Sequence, residues 1–115
     1  MSGPAWPRVA ALGLLAFLCI LVVSSVGIGR MTVIDRDEAR FAQASRQMAE
    51  TGDYIDIRLQ DEPRYQKPVG IYWLHNAATH ALGVPGSNEI WHYRTVSVLA
   101  AALSVLALAW AGAPL

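Results

Sequence analysis

Two uncharged apolar runs set the limits on what this chain can fold into. The first, "VAALGLLAFLCILVVSSVGIG", extends from Val9 to Gly29 between Arg8 and Arg30; the second, "TVSVLAAALSVLALAWAGAPL", extends from Thr95 to Leu115 and is entered through Arg94. About 20 helical residues cross a hydrocarbon core of about 30 Å. Lipid offers no partner for backbone N–H and C=O groups, so each run is read as a transmembrane helix. Trp91 and Tyr93 at one end of the second run, and Trp110 at the other, suit the membrane–water interface. A cleaved signal peptide is the other reading of the first run. Its apolar stretch exceeds the usual 7–15 residues and its cleavage pattern is poor, so an uncleaved span is expected.

With 54% hydrophobic residues and a formal net charge of zero in 115 residues, nothing points to nucleic acid as a partner. Cys19 is the one cysteine and cannot close an internal disulfide. The expected class is an all-α membrane protein: an N-terminal stretch 1–8, a transmembrane helix 9–29, a polar loop 30–93, a transmembrane helix 94–112 and an end 113–115.

Charge is concentrated between the spans. From Arg30 to Arg94 lie all nine acidic residues and eight of the nine Lys and Arg. Asp35-Arg36-Asp37-Glu38 fits a capping box, with Asp35 as N-cap and Glu38 at N3. Phe41, Ala44, Ser45, Met48 and Ala49 then share one side, and Gly52 is a natural stop, so an amphipathic helix of about four turns is predicted that can lie along a membrane surface. "DYIDIRLQDEPRYQ" alternates, with Ile55, Ile57 and Leu59 on one face, and reads as a short extended segment ended by Pro63. Pro68 is placed to open a second helix, with Ile71, Leu74, Ala78, Ala81 and Leu82 as its apolar face and Gly83 as its stop. "VPGSN" is a turn, and a last helix is expected to start near Ser87 or Asn88 and run unbroken into the second span. Taken literally, the excess of Lys and Arg in the insert places it in the cytoplasm.

Asp37 and Glu38 stand a few residues beyond the first span. Carboxylates at the membrane boundary can orient or deprotonate a hydroxyl or amine held there. The same acids, in the first turn of a helix, simply favour its dipole by about 0.3–1 kcal/mol, and Arg40 at i+3 can pair with Asp37. Lys67 precedes a helix start among Tyr65, Tyr72 and Trp73. It is either a phosphate contact or an interfacial lysine reaching water. Arg58 and Arg64 are equally plausible as solvated charges. His75 and His80, five apart, do not share a helical face, and His92 stands alone, so no metal site is expected. There is no Gly-rich phosphate loop and no Ser-His-Asp pattern, and no cofactor is expected.

In order, the chain has an apolar span, "DEAR", an amphipathic helix, "TGDY", "RLQDEPRYQKP", "IYWL", a Gly turn, an aromatic beside Arg94, and an Ala/Leu-rich span. From Asp35 to about Trp110 this order resembles the N-terminal part of the polyprenol-phosphate-dependent membrane glycosyltransferases, among them the aminoarabinose lipid A transferases and the protein mannosyltransferases. The resemblance implies a fold of many spans in a bacterial inner membrane, with a large first extracytoplasmic loop containing juxtamembrane helices. It implies transfer of a sugar from a polyprenyl phosphate donor to a lipid or protein acceptor. Asp37 matches the family's base or acceptor-positioning carboxylate, next to Glu38. Arg40 matches the arginine three residues on, Lys67 matches the lysine expected near the donor phosphate, and Tyr65 is a substrate contact beside it. Where the family commonly has Glu before that lysine, this chain has Gln66, and "KPPL" is "KPVG".

Two spans do not enclose a lipid-sized cavity, so the chain is expected to be a fragment or a truncated product, inactive alone. The alternative is a small two-span structural or assembly protein whose loop binds a partner or lipid head groups.

Overall fold

The computed structural model describes residues 6–112. The stretch 113–115 and most of 1–8 therefore lie outside the described residues. The chain is mostly helical and divides into two compact units, one made of residues 1–28 and 97–115 and the other of residues 29–96.

The first unit contains helix α1, Trp6–Ser25, and most of helix α4, Ile90–Gly112; both are long and apolar enough to cross a membrane. α1 stops before its apolar run does. Gly27 takes a φ of 79°, a left-handed conformation that ends a helix and that a side chain would strain. The rest of the run, to Arg30, is a turn. Most side chains of α1 are exposed, Leu12, Val22 and Val23 among the most open.

The exception is Gly13, the buried residue of α1, where an added Cβ would lie 2.7 Å from the Cβ of Ala109 on α4. Such close approach of small residues is how helices associate where no hydrophobic effect separates them from lipid. Gly13→Leu should therefore overpack the crossing and destabilise this unit by about 1–3 kcal/mol. The check is the midpoint of its unfolding by SDS in mixed micelles; no change in midpoint would mean that the crossing carries no packing energy.

The second unit is the polar insert. Helix α2, Arg36–Thr51, begins where the sequence predicts, with Asp35 as N-cap: its Oδ1 accepts from the Asp37 N–H at 2.9 Å. It ends on Gly52 at φ 72°, whose N–H returns to the Met48 carbonyl. The predicted reciprocal capping bond from Glu38 does not form, because that carboxylate is taken by Arg94. Strands β1, Arg58–Leu59, and β2, Glu62–Pro63, form a minimal antiparallel hairpin, with Arg58 opposite Pro63 and Leu59 opposite Glu62. Its turn residue Gln60 has a φ of 60°. Gln47 holds it by both ends of its side-chain amide, Nε2 donating to the Gln60 carbonyl at 2.7 Å and Oε1 accepting from the Gln60 N–H at 2.9 Å.

The extended segment is shorter than its alternation suggests. Asp53 Oδ1 accepts from the N–H groups of both Ile55 and Asp56 and bends the chain. In consequence Ile57 is buried, Leu59 is half-buried and Ile55 is 83% exposed.

Helix α3, Gly70–Ala81, starts two residues after Pro68 and ends before Gly83, whose φ is 73°. It packs on α2 with only part of its expected apolar face inward: Ile71 packs on the core and Ala78 is half-buried. Tyr72, His75, Asn76 and Thr79 are buried, whereas Leu74, Ala81 and Leu82 are exposed, as is Trp73. The polar face is satisfied in part: the Tyr72 hydroxyl and Asn76 Oδ1 are buried without a partner, and the other groups bond internally. Asn76 Nδ2 donates to the Tyr72 carbonyl at 3.0 Å, Thr79 Oγ1 donates to the Asn76 carbonyl at 3.0 Å, and Ser45 of α2 meets His75. Ala44, Met48, Ile57 and Tyr72 form the core, with Phe41, Tyr54, Val69 and Ile71 packed against it. Burial of side chains the size of Met48 contributes about 1.5–3 kcal/mol each. The stripe of α2 that could meet lipid is thus covered by α3, and the outward face of α3 is apolar. No Asp, Glu, Lys or Arg occurs from Val69 to Asn88.

His75 makes this seam sensitive to pH. Ser45 Oγ donates to the Phe41 carbonyl at 2.8 Å, so its lone pair accepts the Nδ1–H of His75 at 3.1 Å. The ring also meets the edges of Phe41 and Tyr93. Burial among these groups lowers the His75 pKa below its ordinary 6.5. The unfolded chain therefore takes up a proton first as pH falls. The contribution of His75 to stability is complete above about pH 6.5 and declines below it, down to the folded pKa. The thermal midpoint of the insert should drop as pH falls below about 6.5, and His75→Gln should remove that part of the drop. An identical pH profile in His75→Gln would refute the assignment.

Candidate functional site

The start of α2 collects the charged groups. Arg94, near the start of α4, donates through Nε to Glu38 Oε1 at 2.5 Å and through Nη2 to Glu38 Oε2 at 3.1 Å. Its Nη1 donates to the Met31 carbonyl at 2.8 Å. A guanidinium is a planar fork that matches a carboxylate at two points. Arg94 uses that fork to tie the segment preceding α2, the first turn of α2 and the start of α4 together. Glu38 is therefore occupied, and its neighbour Asp37, one residue round the helix, is directed elsewhere.

Asp37 has two arginine neighbours. Arg40 Nη1 lies 3.6 Å from Asp37 Oδ1, the i+3 pair expected from sequence, and Arg64 Nη2 lies 3.8 Å from the same oxygen. The Asp37 and Arg40 side chains are about half exposed, at 50% and 46%, whereas that of Arg64 is only 9% exposed. Arg64 is thus not the solvated charge its surroundings in sequence suggest. Its N–H donates to the Ile57 carbonyl at 2.7 Å, which fixes it just past the hairpin. Its guanidinium Nε is buried with no hydrogen-bond partner. No local pattern in "EPRYQ" marks a buried residue; only the packing of the 57–64 segment along α2 does.

Lys67 is exposed, three residues beyond Arg64. Its Cα can lie no more than about 11 Å from that of Arg64, and it makes no ion pair with Asp37. Tyr65 points to a different partner: its hydroxyl donates to Asp56 Oδ1, and Arg58 Nε donates to Asp56 Oδ2 at 2.7 Å. The Tyr65 hydrogen bond, and then the Arg58 guanidinium, hold the Asp56 pKa below the usual carboxylate range; the same bond raises that of Tyr65. Asp56 and Arg58 line an open cleft with Gln47, Thr51, Asp53 and Asp61. Thr51 lies roughly 20 Å along α2 from Asp37, at 1.5 Å per residue. The five sequence-named residues therefore divide. Asp37 and Arg40 meet, Lys67 is exposed three residues beyond Arg64, Glu38 is held by Arg94, and Tyr65 is held by Asp56. Among the described residues no group of three or more His, Cys, Asp or Glu can hold a metal ion.

Chemically, the Asp37 neighbourhood is one carboxylate between two guanidiniums. Such a group can accept a proton or orient a hydroxyl or amine at the carboxylate, and can bind an anion at the cations.

No family model and no solved structure matches the chain. Among curated relatives, it is 39% identical over 74 residues to the undecaprenyl phosphate-alpha-4-amino-4-deoxy-L-arabinose arabinosyl transferase of Pectobacterium carotovorum subsp. carotovorum (strain PC1). It is 32% identical over 74 residues to the enzyme of the same name from Enterobacter sp. (strain 638), and 31% to that of Yersinia pestis (strain Pestoides F). Each match covers 64% of this chain and 13% of the relative, so the chain spans about an eighth of the length of the relatives it matches. Over that stretch the chain is a sequence relative of membrane glycosyltransferases named for an undecaprenyl phosphate-linked sugar, the kind of protein its motif order resembles.

Proposed function

We propose that this chain forms the membrane-boundary portion of a glycosyltransferase that moves a sugar from a polyprenyl phosphate donor to a lipid or protein acceptor on the periplasmic face of a bacterial inner membrane. The observation that carries the reading is the 39% identity to arabinosyl transferases over a stretch that covers 64% of the chain. The geometry supports it. A lipid-linked donor presents its phosphate at the membrane–water boundary. In this reading the half-exposed carboxylate of Asp37, paired with Arg40, is the base or acceptor-positioning group at that boundary, and Lys67 is the phosphate contact. Glu38, tied to Arg94, holds that turn in place rather than reacting. Tyr65 serves the substrate from the Asp56 side.

In this reading α1 and α4 span the membrane, and the exposed face of α3, with Trp73, Leu74 and Leu82, rests on its surface. The N-terminus is cytoplasmic and the insert periplasmic. Two spans do not enclose a polyprenyl chain, so transfer requires further helices.

The test is a chimera in which the 74 aligned residues of the Pectobacterium enzyme are replaced by those of this chain. It is expected to transfer aminoarabinose from undecaprenyl phosphate in isolated membranes. A chimera that inserts at normal abundance yet transfers no sugar would overturn the reading.

A further inference from the structure

We propose that Arg64 is an anion-binding residue, and that its ligand is the phosphate ester of a lipid-linked sugar held beside Asp37. The inference rests on the donor reading for the identity of the ligand, and on the geometry of Arg64 for the site. The side chain is 9% exposed, and the residue as a whole 8%. A guanidinium carries five N–H donors and always bears its charge. Among the described residues this one makes no hydrogen bond through its side chain, and its buried Nε has no partner. Its nearest anion, Asp37 Oδ1, is 3.8 Å away, beyond hydrogen-bond distance.

Buried charges in folded proteins are paired and hydrogen-bonded, because desolvating them is costly. Arg94 shows how the same chain satisfies a structural arginine: both carboxylate oxygens of Glu38 and backbone carbonyls take up its donors. Arg64 has none of this.

The local charge supports an anion as the missing partner. Arg40 and Arg64 both face a single Asp37 oxygen, two positive groups on one negative group. Lys67 is a further cation three residues on and exposed, and among the described residues no acid other than Asp37 pairs with Arg64. A phosphate monoester or diester offers several acceptor oxygens in the geometry a guanidinium fork matches. Asp37 beside it is placed to meet the sugar or acceptor rather than the phosphate. Arg64 thus takes the anion from the protein side, while the exposed Lys67 meets it from the water side.

A structural arginine and a ligand-directed one respond to substitution in opposite ways. Removing a structural arginine lowers stability. Removing a buried charge whose donors are unmet leaves stability unchanged or raises it, while function is lost.

The experiment uses the full chain in dodecylmaltoside micelles with citronellyl phosphate, a short polyprenyl phosphate, followed by ³¹P NMR line shape and by Trp fluorescence. Inorganic phosphate and micelles doped with phosphatidylglycerol are run in parallel. Citronellyl phosphate is expected to bind, and inorganic phosphate to compete for the same site. Phosphatidylglycerol, a bulky diester, is expected to compete poorly. Arg64→Met should weaken binding by about 10-fold or more, the loss of charge-assisted hydrogen bonds, with a thermal midpoint no lower than that of the parent. Arg64→Lys, which keeps the charge and loses the fork, should be intermediate, and Lys67→Gln should weaken binding less than Arg64→Met.

Unchanged affinity in Arg64→Met, or a fall of several degrees in its midpoint with binding intact, overturns the inference and leaves the donor reading standing. No binding of any phosphate by the parent chain also overturns it. Arg64-dependent binding of citronellyl phosphate together with an inactive chimera would leave the phosphate site in place and refute the transferase reading instead.

Discussion

Replacing Asp37 by Asn in the active chimera should reduce sugar transfer by about 100-fold or more, within the range by which a positioned general base or acceptor-orienting carboxylate accelerates proton transfer. The amide is nearly the same size as the carboxylate, so the turn at the start of α2 keeps its shape; the N-cap bond uses the Asp37 backbone N–H, not its side chain. What changes is charge. Arg40 and Arg64 lose the anion they share. The pair distances are long and Asp37 is half exposed, so the cost to folding is small, about 1 kcal/mol or less. Membrane abundance and rate are therefore measured together on the same preparations. Transfer close to that of the parent at equal abundance would show that Asp37 takes no part in the reaction. The companion substitution Arg40→Gln should have a much smaller effect, because Arg40 is exposed and Asp37 retains Arg64.

The largest effect on stability is expected at Arg94. Arg94→Ala removes the hydrogen bonds to both Glu38 oxygens and to the Met31 carbonyl together. Bonds to charged groups are worth about 1.5–3 kcal/mol each, and they are not additive in a shared network. The Arg94 and Glu38 side chains are only 16% and 30% exposed, so solvent does not fully replace what is lost. A destabilisation of the insert by about 2–4 kcal/mol follows. Hydrogen exchange should show it locally, as loss of protection across residues 31–38 and the first turn of α2. Arg94→Lys should recover part of the effect, since an ammonium can meet Glu38 but cannot bridge its two oxygens and a carbonyl together. Unchanged exchange in Arg94→Ala would mean that the first turn of α2 is held by its N-cap alone.

The two arginines show how far sequence reasoning reaches. Arg94 and Arg64 are single basic residues beside aromatics, one at the edge of an apolar span and the other after a proline. Nothing in their neighbours separates a guanidinium that knots three segments from one buried with unmet donors. Their difference comes from residues 57–64 lying along α2 and from Glu38 facing Arg94 rather than its own N-cap. The Asp37–Arg40 pair, by contrast, was legible, because i+3 spacing on a helix brings two side chains together whatever surrounds them. Tyr65 and Lys67, two residues apart, carried one expectation and meet different surroundings. The Tyr65 hydroxyl is committed to Asp56, and Lys67 stays exposed.

Sequence alone determined the two apolar helices and the ends of α2. Twenty uncharged residues can satisfy their backbone only as a helix in lipid, and Asp35 and Gly52 act on the few N–H and C=O groups next to them. These are local requirements and need no partner. Which face of α3 is buried was decided only by tertiary structure. Hydrophobic periodicity marks the apolar face of a helix, and it marks the buried face only when water covers the other side. The polar side chains His75, Asn76 and Thr79 of α3 lie in the α2–α3 seam with Ser45 of α2, and Leu74 and Leu82 face outward. The arrangement depends on hydrogen bonds between residues as many as 30 positions apart, such as Ser45 with His75, and on the packing of Tyr72 against Phe41. Long-range pairings of that kind leave no trace in local spacing.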